Sequence, residues 1–152
     1  MSRTLNHSPA EIIQYYLDDQ SLGSLPSSDG LWPVFATSMP DTPDNAICVY
    51  DTEGKGEGRE HISGATHFQH GIQVRVRSSS HKVGYQKAGD IILAFDALHR
   101  AEVPLGSDTY MIHAVNMTSP ILPLGLDEAP ASRRRSFVIN ALVIVTPRAG
   151  TG

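Results

Sequence analysis

The clearest pattern in the chain is His70-Gly71-Ile72-Gln73-Val74-Arg75-Val76-Arg77. Ile72, Val74 and Val76 recur at every second position, with Gln73, Arg75 and Arg77 between them. That period predicts a strand with its aliphatic face on a core and its polar face outward. Upstream, Ser8-Pro9-Ala10-Glu11 opens a helix. Ser8 supplies a capping oxygen, Pro9 loses nothing at the first helical position, and Glu11 stands where a capping box needs it. Ile12, Ile13, Tyr16 and Leu17 form one apolar stripe, so the helix runs from about 9 to 20, and Gly23 and Pro26 stop it.

Residues 31–36 predict a short strand that Pro33 confines to an edge or an end. The run 39–44 is turn chemistry, and residues 45–51 rise from it as a strand. Residues 51–64 hold four glycines and six charged residues, a composition that predicts a flexible, solvated loop. After the 70–77 strand, Ser78-Ser79-Ser80 caps a second helix over about 81–98. Its Ala88, Ile91, Ile92, Phe95 and Leu98 share one face, while Gly84 and Gly89 weaken it and point to close packing or a bend.

Residues 101–105, a Gly106-Ser107-Asp108 turn and 109–118 predict a long hairpin. Strict alternation places Tyr110, Ile112, Ala114 and Asn116 on one side and Met111, His113, Val115 and Met117 on the other. Pro120 and Pro123 break that run, and a last strand over 134–145, apolar on both faces, belongs in the middle of a sheet. The whole predicts an α+β fold: one domain over 1–152 with a mostly antiparallel, twisted sheet and two main helices on one face.

Composition narrows the function more than the fold. Nothing reads as a signal peptide or an apolar run of about 18 residues, so no membrane partner is expected. The one cysteine, Cys48, excludes an internal disulfide and sits in an apolar strand as a spectator thiol. Residues 1–70 carry 3 basic and 10 acidic groups, whereas 71–152 carry 9 and 6, within a net charge of -4. A division of this kind suits a protein that sets its orientation against other copies or partners by charge.

Candidate chemistry is thin. His61, His67 and His70 match no tight zinc spacing, even with Asp51 or Glu60 added as oxygen ligands, and a glycine-rich loop holds ligands poorly. Gly54-x-Gly56-x-Gly58 opens no helix, so it does not read as a phosphate loop. No Gly-x-Ser-x-Gly elbow occurs, and Asp18-Asp19 and Asp127-Glu128 do not converge as acid–base pairs. No catalytic residue, cofactor or metal is expected. Arg133, Arg134 and Arg135, with Arg75 and Arg77, form the sharpest basic feature. Without interleaved aromatics they suit carboxylates of a neighbouring subunit better than nucleic acid.

These segments also carry a family likeness. Pro9-Ala10-Glu11-Ile12-Ile13, residues 44–52, Gly64, residues 70–77, Tyr85-Gln86-Lys87-Ala88, Pro123-Leu124-Gly125-Leu126-Asp127-Glu128, the arginines and residues 137–140 occur in order. In this the chain resembles the tail terminator group among the tail-completion and minor capsid proteins of long-tailed bacteriophages. The resemblance implies a non-catalytic α+β subunit in a homomeric ring, usually a hexamer. It implies a place at the head-proximal end of the virion tail, after assembly in the host cytoplasm. The ring would cap the tail tube, stop its polymerisation and dock the head connector, with DNA passing through the lumen without sequence-specific binding. One departure stands out: Ala129-Pro130-Ala131-Ser132 separates Asp127-Glu128 from the arginines.

Arg75, Arg77, Asp127, Glu128, Arg133, Arg134 and Arg135 are the expected interface residues, with Lys55, Arg59 and Glu60 in the loop and Asp108 at the hairpin tip. A head–tail stopper or tube protein of related architecture is the nearest alternative, and a small nucleic-acid-binding accessory protein the more distant one.

Overall fold

The computed structural model describes residues 5–26, 31–59, 66–126 and 134–147, with side chains throughout except at 55–59, 66–68 and 125–126. In chain order the elements are α1 (Pro9–Asp19), β1 (Val34–Ala36), β2 (Ala46–Arg59), β3 (Thr66–Ser78) and α2 (His81–Ala97). Then come β4 (Ala101–Leu105), β5 (Asp108–Met117), β6 (Leu122–Leu126) and β7 (Arg135–Pro147). The strands form one sheet in the order β1-β2-β3-β7-β5-β4, and β6 flanks β7 beside β5. Among these strands β1 and β2 run parallel and the other pairs antiparallel. Helix α1 meets β1 and β2 at one end of this order and β4 at the other, so the sheet curls into a half-barrel around its helices.

Both helices start where their caps place them. Ser8 Oγ accepts the Glu11 N–H at 3.3 Å, and Ser80 Oγ accepts that of Val83 at 3.4 Å. Asp51, considered above as an oxygen ligand, instead accepts the Ala10 N–H at 2.9 Å. A carboxylate there contributes about 0.5–1 kcal/mol by meeting an orphan donor at the positive end of the helix dipole. The core joins Ile13 and Leu17 of α1 and Ile91 and Phe95 of α2 to Val74, Ile139 and Val143 of the sheet. The last strand is central, as its two-sided apolar pattern predicts, with β3 on one side and β5 and β6 on the other.

Three expectations change. In β5 the alternation holds through Tyr110 and Ile112, then a one-residue bulge at His113 flips it, burying Val115 and leaving Asn116 exposed. Residues 122–126, where proline predicts a break, form β6, which tolerates Pro123 because among the described residues it pairs on one side only. Residues 51–59, read as loop, continue β2 through two register shifts and pair with residues 66–72 of β3. The two strands interlock at a glycine pair. A Cβ on Gly54 would stand 2.2 Å from the Gln69 carbonyl oxygen, and one on Gly71 2.3 Å from that of Glu53. Residues 60–64, the remainder of the expected loop, lie outside the described residues.

The glycines of α2 differ from each other in a testable way. A Cβ on Gly84 would lie 2.7 Å from Phe137 Cε2, whereas one on Gly89 would meet nothing within 4 Å. Gly84→Ala should destabilise by about 1–3 kcal/mol through overpacking. Gly89→Ala should stabilise by roughly 0.5–1 kcal/mol through helix propensity. Urea unfolding of both variants checks the opposite signs.

Candidate functional site

The helices cover one face of the sheet, and the polar side chains of β3 lie on the other. Strand register sets the rows there: Cys48–Arg75–Val138–Leu122 crosses four strands, and Tyr50–Gln73–Asn140 crosses three. The Arg75 guanidinium lies over the Tyr50 ring, 5.5 Å from its centroid, and Nη2 donates to Gln73 Oε1 at 3.2 Å. Gln73 Nε2 in turn donates to Asn140 Oδ1 at 3.2 Å. Arg75 Nε is buried without a hydrogen-bond partner. Arg75 is therefore half-buried, its cationic end held between the aromatic ring and the amide chain.

Beside it on β2, Cys48 is buried; desolvation pushes its thiol up, against weaker downward pulls from Tyr50, Arg75 and Arg77. This is an inert thiol, as its apolar strand predicts.

Arg77 and Arg134 occupy a different place from the one expected. Each is only 7% exposed. The 41–44 turn folds over them and aims its carbonyls inward: Arg77 donates from Nε to Asp44 O at 3.3 Å and from Nη2 to the carbonyls of Asp41 and Pro43. Arg134 donates from Nη1 to the Asp41 carbonyl and from Nη2 to Asp41 Oδ1 at 2.9 Å. The expectation that Arg77 faces outward into solvent is corrected. Its partners are main-chain carbonyls, which leave no mark in a sequence.

Other candidates are dispersed. Arg135 is half-buried at the start of β7, opposite Ser78 and Leu126. Asp108, at the base of the β4–β5 turn, is engaged by the chain's own N-terminal segment: Asn6 Nδ2 donates to it at 3.4 Å and His7 Nδ1 stands 3.8 Å away. His7 Nδ1 also shares a 2.7 Å hydrogen bond with the Tyr110 hydroxyl. The backbones of Lys55 and Arg59 pair with Gln69 and Thr66 in the outer part of the β2–β3 ribbon. Glu60, Asp127, Glu128 and Arg133 lie outside the described residues. His61 does too, as does the side chain of His67. Burial pushes the His70 imidazole down from its ordinary range, with Asp51 opposing. Among the described residues no three His, Cys, Asp or Glu converge as a metal site.

With that geometry in place, a family profile described as "Bacteriophage tail terminator protein" matches residues 16–133. The chain belongs to the bacteriophage tail terminator family. As a family member it is a structural, non-enzymatic protein of the phage tail, placed in the head-proximal region where it meets tail-tube and head-connector components.

No curated protein matches in sequence. Among solved structures, a chain from the virion of a native gene transfer agent particle is 13% identical, with 74% of this chain and 78% of that one covered at a TM-score of 0.42. A second solved chain is 15% identical, covering 90% of this chain and 89% of that one, also at 0.42. Both likenesses are loose. The matched span of the terminator family runs from the end of α1 through β6, and so includes the ribbon and the β2, β3 and β6 members of the outer-face rows, with Val138 and Asn140 of β7 beyond it.

Proposed function

We propose that this terminator closes into a homomeric ring, of six copies by the family's usual number, on the head-proximal end of the tail tube. There it stops tube polymerisation and offers the head connector a docking face, with DNA passing through its lumen without sequence-specific contact. The family match over residues 16–133 carries this reading. The physical argument runs alongside it. A half-barrel whose outermost strands are β1 and β4 gains cover from lateral neighbours, and a cyclic arrangement closes such contacts without unlimited growth. Stopping an axial polymer requires one axial face that fits the tube and another that refuses a further tube ring.

Arg75, Arg135, Lys55, Arg59 and Asp108, with Glu60, Asp127, Glu128 and Arg133, remain the proposed contact residues. Arg77 and Arg134 drop out as free cations, which also thins the basic patch considered for nucleic acid. Native mass measurement with negative-stain imaging tests the proposal: an annulus of uniform mass is expected. A monomer at micromolar concentration, or open-ended tubes, would overturn it. Arg133→Glu with Arg135→Glu, leaving Arg134 in place, is then expected to abolish head joining while the fold persists.

A further inference from the structure

Two features of the sheet are incomplete within one copy, and they stand at diagonally opposite corners. At one corner the β2–β3 ribbon leaves the sheet. Pairing of β3 with β7 ends at His70–Val143, and β1 covers β2 only at residues 47–49, yet β2 and β3 stay paired out to Arg59–Thr66. Beyond the His70–Val143 pair no third strand pairs with the ribbon among the described residues, and a two-stranded ribbon alone is marginal in water. At the other corner lies β6, paired with the opposite end of β7 and, among the described residues, open along its outer edge. Its Leu122 and Leu124 are 42% and 53% exposed. Beside it, Pro123 pairs with Phe137, whose ring is met edge-on by His81 at 5.2 Å and Tyr85 at 5.9 Å. The corner thus combines an open strand edge with exposed leucines and an aromatic rim, the composition of a contact surface.

We infer that the β2–β3 ribbon of one copy lies against the β6 corner of the next. This rests on the ring reading and specifies its lateral contact. The placement decides between occupants. Two unlike surfaces on opposite corners of one subunit make a heterologous, head-to-tail contact, which is the kind that generates a ring. The ribbon brings backbone groups to a strand edge that lacks a partner and covers the leucines. Its charges alternate in the sequence, Glu53, Lys55, Glu57 and Arg59, while Arg135 borders the β6 corner. An acidic group of the ribbon meeting Arg135 fixes the register.

The test is cross-linking in a Cys48→Ala background, which removes the native thiol. Lys55→Cys and Leu124→Cys are made singly and together, and the assembled protein is treated with a short bismaleimide. Within one copy the two positions are separated by roughly 20 Å or more along and across the sheet, beyond that reagent. The double variant should give a ladder of dimer, trimer and higher species on a denaturing gel, and each single variant only monomer. Dimers from Lys55→Cys alone would mean ribbon-to-ribbon pairing and overturn the proposal. A uniform annulus by native mass with no ladder would also overturn it, leaving the ring reading intact. A folded monomer by native mass would instead remove the ring reading and this contact with it. Gln69→Cys with Leu122→Cys repeats the experiment should the first pair fail to fold by circular dichroism.

Discussion

Arg134→Met is expected to lower the unfolding free energy by about 2–4 kcal/mol, whereas Asp41→Asn, at the other end of the same ion pair, should change it by less than about 1 kcal/mol. The asymmetry follows from burial. Arg134 is nearly enclosed, while the Asp41 carboxylate is 90% exposed. The carboxylate contact is therefore screened by water, and its removal leaves the guanidinium with the Asp41 carbonyl and with Asp44 Oδ1 3.9 Å away. Removing the guanidinium takes away the charge-assisted hydrogen bonds to the Asp41 carbonyl and carboxylate, while methionine keeps the packing of the stem. Arg77→Met should cost a similar amount, because three carbonyls of the 41–44 turn converge on its side chain. Arg134→Lys should not restore stability, since an ammonium cannot reach two acceptors with a fixed fork. Urea unfolding followed by the fluorescence of Trp32, the only tryptophan, measures all four. Equal losses for Arg134→Met and Asp41→Asn would show that the salt bridge, not the carbonyl clamp, holds the turn.

That clamp also marks the limit of what the chain discloses by itself. Both helix starts were legible because Ser8 and Ser80 act locally, on N–H groups three residues away. The face of β3 and the central place of β7 were legible because alternation and two-sided apolarity are direct consequences of burial. The polar outer face was readable as far as Gln73 and Arg75. It failed at Arg77, whose cover comes from a turn more than thirty residues away. The β5 faces failed at His113 because a bulge inserts one residue without any glycine or proline to announce it. β6 was hidden by Pro123, which excludes a strand only where both edges must pair. The glycine-rich tract after Asp51 reads as loop because glycine is a poor strand former in isolation. Here one of those glycines, Gly54, is required by the partner strand, as Gly71 of that strand is by β2.

Gly71→Val should be the most disruptive single change in the ribbon, with a loss of about 3 kcal/mol and no ring assembly. Gly71 pairs with Thr52 on one side and Leu142 on the other, inside the sheet and at the root of the ribbon. The atoms that any Cβ would meet are the Glu53 carbonyl oxygen at 2.3 Å and Thr52 Oγ1 at 2.5 Å. The first is backbone and cannot rotate aside, so β2 itself must move. Moving it opens the register shift between Thr52 and Lys55 that sets the direction in which the ribbon leaves the sheet. Gly54→Ala should act in the same sense, because its Cβ would stand 2.2 Å from the Gln69 carbonyl oxygen on the opposite strand. The two readouts separate fold from assembly. Urea unfolding reports the strain in the sheet, and native mass reports whether the ribbon still reaches its neighbour. For Gly54→Ala, farther out along the ribbon, assembly should fall more steeply than stability. If Gly71→Val stays within about 0.5 kcal/mol of the parent protein, the close approach of the two strands is not a requirement of this fold.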